Sequence, residues 1–142
     1  MLQSATPAIV VPHAHGAATL AERPLVAWNG SLPAARALKA ALPLLRGAER
    51  VDVVSWSRRA SGAPFSGLGP AAWLERHGVR ATMHERPPTA HVADALRGFA
   101  RELASDLVVM GCYGHSRMRE QMFGGVTRGL LAALPVPVLM AH

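Results

Sequence analysis

The 142-residue sequence predicts an α/β domain: a five-stranded parallel sheet with helices on both faces, plus an extra N-terminal strand. Three observations carry that reading. Short apolar runs alternate along the chain with segments whose apolar residues return at helical spacing. Those runs are apolar throughout rather than alternating, as in a sheet covered on both sides. The length suits one domain with a core of its own.

Taken in order, the elements begin with a leader, residues 1–22, ahead of the main domain, residues 23–142. The leader holds Ala8-Ile9-Val10-Val11, β-prone and apolar. Residues 24–28, PLVAW, form an apolar run closed by Asn29-Gly30, the pattern of a buried strand ending in a turn. Ser31 then caps a helix with Ala35, Leu38, Leu42 and Leu45 on one face. Pro43 is expected to kink that helix, because it lacks an amide and crowds the Lys39 carbonyl. Residues 51–56 are the second strand, followed by a loop rich in Gly, Ser and Pro. A short helix over 71–77 stops at Gly78, and residues 79–85 alternate as a strand at a sheet edge does. Thr89 is the expected cap of a helix with Val92, Leu96, Phe99 and Leu103 in one stripe. Residues 106–111 are the fourth strand, 126–133 the last helix and 136–141 the fifth strand.

Composition narrows the function. Fourteen arginines and one lysine against nine acids leave a formal charge of +6, but the basic residues are scattered. Aromatic residues are 5% of the chain, too sparse for a platform that stacks nucleic-acid bases. A single cysteine, Cys112, excludes an internal disulfide and a cysteine-based zinc site, and it suits a reducing compartment. No apolar run is long enough to span a bilayer, and the N-terminus does not read as a signal peptide. These features point to a cytoplasmic domain with no nucleic-acid or membrane partner.

In open parallel sheets, ligands bind beyond the carboxyl ends of the strands, where strand order reverses. The loops after the first and fourth strands are therefore the candidates. The first is Asn29-Gly30-Ser31. The second opens with Gly111-x-x-Gly114 and reaches Gly124-Gly125 after nine further residues, among them His115, Ser116, Arg117 and Arg119. Amides at the start of the last helix, with the positive end of its dipole, favour an anion. Two readings stand: a phosphate cradle, or a tight strand-to-helix connection. The stretch is neither a Walker loop nor a dinucleotide fingerprint. Elsewhere, Asp94 and Glu102 read as solvated, and His13-x-His15 is a poor metal site in a tail. Cys112 is either an oxidisable thiol beside basic residues or a buried inert one. No serine-hydrolase elbow and no acidic phosphotransfer cluster is present.

The glycine stretch resembles the nucleotide-loop signature of the universal stress protein family. LVAWNGS (residues 25–31) resembles that family's first strand and turn, and GGVTRGLLAALPVPVLMAH (residues 124–142) its closing helix and strand. The resemblance covers residues 23–142 and is strongest to the second half of tandem-domain members. It implies strand order 3-2-1-4-5, a homodimer through the sheet-edge strand 136–141, and a non-enzymatic role in a cytoplasmic stress response with unknown protein partners. It also implies ATP or another adenine nucleotide, with no metal, held by Asn29, Gly30, Ser31, Trp56, Met110, Gly111, Gly114, His115, Gly124, Gly125, Val126 and Thr127. Three positions depart from the family pattern. Asn29 replaces an aspartate, Gly125 replaces a serine or threonine, and Trp56 stands where a small or aliphatic residue is usual. The indole either stacks on the base or fills its pocket. Two function classes follow: a nucleotide-binding stress protein, or a structural dimerisation module of the same fold that binds no nucleotide.

The leader's TPAIVVPHAHG resembles the chain's own end, LPVPVLMAH, as though a tandem protein had kept only the last strand of its first domain. Ala8–Val11 is expected to pair antiparallel with residues 136–140, within one chain or exchanged between two.

Overall fold

The computed structural model of the chain describes residues 6–13, 16, 19–56, 65–112, 131–132 and 136–142. In chain order the elements are β1 (Ala8–Val10), β2 (Pro24–Ala27), α1 (Leu32–Leu45), β3 (Val51–Ser55), α2 (Pro70–Arg76), β4 (Ala81–Glu85), α3 (Val92–Glu102), β5 (Leu107–Gly111) and β6 (Val138–Ala141). The strands form one mixed sheet in the order β1-β6-β5-β2-β3-β4. β4, β3, β2, β5 and β6 pair in parallel, each with the next. β1 pairs antiparallel with β6, Ala8 opposite Met140, Ile9 opposite Leu139 and Val10 opposite Val138.

Strand alternation divides the core in two. Val26, Val51, Val53, Leu107, Val109 and Leu139 point to one face, where Ala35, Leu38, Ala41 and Leu45 of α1 and Leu74 of α2 cover them. Leu25, Val54, Val108, Met110, Val138 and Met140 point to the other, under Leu96, Phe99 and Ala100 of α3. Each central strand is thus apolar on both faces, which is why its sequence shows no alternation. β4, at the edge, is half-exposed along its length.

Local chemistry sets the boundaries. Ser31 is the N-cap of α1, its Oγ accepting from the Ala34 amide at 3.2 Å. The helix runs through Pro43 to Leu45, so the proline falls in its last turn. Gly78 takes a left-handed φ of +79° after α2, and the Val79 amide bonds back to Leu74. The cap expected at Thr89 is corrected. His91 is the N-cap of α3, and the Thr89 hydroxyl accepts from the His91 amide at 3.1 Å instead of from the helix. Asp94 is exposed and pairs with Arg97.

The leader is fastened at two places, β1 on β6 and a clamp at Asp106. That carboxylate accepts from the Thr19 hydroxyl and from the Glu22 and Arg23 amides, all at 2.9 Å. Residue 136–141 strand edges left open by the five-stranded reading are therefore occupied within the chain along β6. The last helix expected over 126–133 lies outside the described residues except for 131–132, which are helical.

Candidate functional site

From β2 the chain moves through β3 to β4 on one side, then returns through α3 to β5 and β6 on the other. Strand order therefore reverses between β2 and β5, and in open sheets of this kind ligands bind beyond the carboxyl ends at such a point. Asn29–Ser31 follows β2 there. Asn29 Oδ1 accepts from the Ser31 amide at 3.1 Å, closing an Asx turn in which Gly30 takes φ +74°. The same Ser31 caps α1, so the turn and the helix start are one rigid unit.

Gly111 ends β5, the strand paired with β2 on the other side of the reversal. A Cβ there would meet the backbone of Pro33 and Ala34, 2.6 Å from the Pro33 carbonyl carbon. The first turn of α1 thus lies directly on the end of β5, backbone against backbone. Only glycine permits that approach.

Met110 and Trp56 lie on the α3 face. Met110 is buried among Val108, Leu96 and Met140, and the partly buried Trp56 packs against the same cluster. Cys112 is half-buried. Its amide and its Sγ both donate to the Ala141 carbonyl, at 2.9 and 3.3 Å. Burial pushes its thiol above the ordinary value of 9.0, the opposite of activation. The structure thus brings Asn29, Gly30, Ser31, Gly111 and, from the opposite face, Met110 and Trp56 to one end of the sheet. Gly114, His115, Gly124, Gly125, Val126 and Thr127 lie outside the described residues.

A family model, "Universal stress protein family", matches residues 74–142, from α2 through β6. A protein of that family from Burkholderia pseudomallei is 28% identical over 84% of this chain and 96% of its own, with TM-score 0.56. The family match over residues 74–142 and the shared fold support the reading of the chain as a universal stress protein. A universal stress protein from Archaeoglobus fulgidus DSM 4304 matches 97% of the chain at TM-score 0.74 and 21% identity. The chain spans half the length of that protein. Another, solved in complex with cAMP, matches 87% of the chain and 98% of its own length at TM-score 0.62 and 22% identity. No curated protein matches by sequence.

Three features of the fold escaped the sequence. The buried Trp28 stacks on Phe65 (centroids 5.4 Å apart), Phe65 on Trp73 (4.6 Å), and Trp73 lies tilted over His77 (4.1 Å). This array closes the α1/α2 face beside the end of β2. The signal was period-two alternation, which puts Trp28 on the same face as Val26. Buried Asp52 of β3 is bonded to Arg50 (2.8 Å) and lies 2.8 Å from His84 Nε2 on β4. A lone aspartate inside an apolar strand was the cue. Asp106 was the third. Among the described residues, no three His, Cys, Asp or Glu side chains converge as a metal set, and no helix is long and apolar enough to cross a membrane.

Proposed function

We propose that the chain is a non-enzymatic, cytoplasmic stress-response protein that holds ATP or another adenine nucleotide beyond the carboxyl ends of β2 and β5. The observation that carries this reading is the meeting of the Asn29–Ser31 turn with Gly111 at the reversal of strand order. The cAMP complex of a protein with the same fold supports an adenine nucleotide as the ligand class. On the phosphate side the proposal places Gly111, Gly114, Gly124, Gly125, His115 and the amides of Val126 and Thr127. On the nucleoside side it places Asn29, Gly30, Ser31, Trp56 and Met110. Asn29 Oδ1 is engaged by Ser31, so its amide Nδ2 is the group that meets a nucleoside acceptor. An aspartate would offer no donor there.

The packing of Trp56 on the α3-side core favours a second reading, an interaction module that leaves nucleotide unbound. Thermal denaturation with millimolar ATP or cAMP separates the two. Binding raises the melting temperature with the logarithm of ligand concentration, and Gly114→Val abolishes the rise while leaving the fold. No shift in the parent protein removes the nucleotide reading and leaves the module.

A further inference from the structure

The carboxyl ends of β5 and β6 place three sulfur-bearing residues and a histidine side by side. Met110 of β5 lies opposite Met140 of β6, and both are buried on the α3 face. The ladder runs one step past the strands. The Val108 amide donates to the Pro137 carbonyl where Val108 pairs with Val138. The Cys112 amide donates to the Ala141 carbonyl in the same pattern, so His142 comes opposite Cys112. Residues two apart along a strand share a face, which puts Cys112 beside Met110 and His142 beside Met140. Cys112 packs against the cluster that holds both methionines. Strand spacing and rise set the four Cα atoms at the corners of a rectangle about 4.8 Å by 6.6 Å. Flexible thioether arms can converge on one ion across that span. The next pair inward on this face, Val108 and Val138, is plain hydrocarbon, so the sulfur is confined to the end of the sheet.

We propose that Met110, Met140, Cys112 and His142 form a binding site for Cu(I). Thiolate and thioether sulfur are soft ligands that select this ion, and imidazole completes a set it accepts. Charge favours it as well. One thiolate against a monovalent ion leaves a neutral complex, which the apolar floor of Met110 and Met140 tolerates. The same four ligands around Zn(II) would leave a net positive charge on that floor. On binding, the Cys112 sulfur forms a bond to copper and its proton leaves to water, with no change in oxidation state. The weak hydrogen bond from Cys112 Sγ to the Ala141 carbonyl, 3.3 Å long, is given up. The half-buried Cys112 and the exposed His142 give the ion its way in from solvent. The proposal is independent of the nucleotide reading and shares only Met110 with it.

Anaerobic titration of the full chain with Cu(I) against the chelator bicinchoninate, with no nucleotide present, tests it. The parent is expected to withdraw one equivalent of Cu(I), with sulfur and nitrogen neighbours in X-ray absorption at the copper edge. Cys112→Ser is expected to abolish binding. Met140→Leu keeps the side chain's volume and hence the fold, read by circular dichroism, and is expected to weaken binding about tenfold or more. Met83→Leu, whose sulfur lies on the α1 face, is expected to leave it unchanged. A parent that takes no copper, binding equally strong in Met140→Leu or Cys112→Ser, binding lost in Met83→Leu, or Zn(II) held as tightly as Cu(I) would each overturn the proposal.

Discussion

Gly111→Ala isolates the contact that seats the first turn of α1 on the end of β5. Gly111 sits in strand conformation, so its backbone accepts an alanine; what it lacks is room. The added methyl would lie 2.6 Å from the Pro33 carbonyl carbon and 2.9 Å from Ala34 Cα, and closer still to the Ala34 nitrogen. These are backbone atoms and cannot rotate aside. Restoring contact at about 3.5–4.0 Å requires α1 and β5 to part by about 1 Å. α1 resists, because its buried face is locked into the sheet and its first turn is held by Ser31. Overpacking costs about 1–3 kcal/mol, and the rigid neighbours put this site at the upper end. For a domain of this size that lowers the melting temperature by roughly 10 °C. Gly98→Ala is the control. Gly98 lies inside α3 with nothing within 4 Å of an added Cβ, so the change is expected to stabilise by about 0.5–1 kcal/mol. Urea denaturation followed by circular dichroism reads both. Gly111→Ala within about 0.5 kcal/mol of the parent would refute the packing argument.

Two further outcomes follow from the leader and the thiol. Asp106→Ala removes three acceptor contacts at once and is expected to cost about 1–3 kcal/mol, with faster amide exchange at Glu22 and Arg23; unchanged exchange would mean the clamp holds nothing. Cys112 is expected to react with iodoacetamide more slowly than an exposed thiol at neutral pH. Because its folded-state pKa is raised, its stabilising contribution is present below the ordinary thiol value of 9.0 and is lost as pH rises through the folded value, so Cys112→Ala should flatten the alkaline loss of stability.

What the sequence made legible was periodic or local. Apolar strands without alternation announced a sheet covered on both faces, and the Ser31 cap could be read because its partner is three residues away. The pairing of the leader with β6 was readable because Ala8–Val11 is apolar and an edge stood open. Contacts between distant residues were not. Asp52 meets His84 across the sheet, Trp28 meets Phe65 across a loop, and Asp106 clamps Thr19, each far apart in the chain. Local sequence marks Asp52 as an aspartate inside an apolar strand, but not the residue it meets, nor which rings stack. Gly111 shows a related limit: glycine signals close approach without saying to what, and here the neighbour is the chain's own helix. Thr89 misled because a hydroxyl near a helix start can serve a turn just outside it.

The central claim is tested most directly by titrating ATP, and separately cAMP, into isotopically labelled protein and following backbone amide chemical shifts. The account predicts saturable shifts concentrated at Asn29, Gly30, Ser31, Gly111 and Cys112, beyond the ends of β2 and β5, with little change at β4 or in the leader. No saturable shift at millimolar nucleotide, or shifts confined to residues away from that end of the sheet, would contradict it.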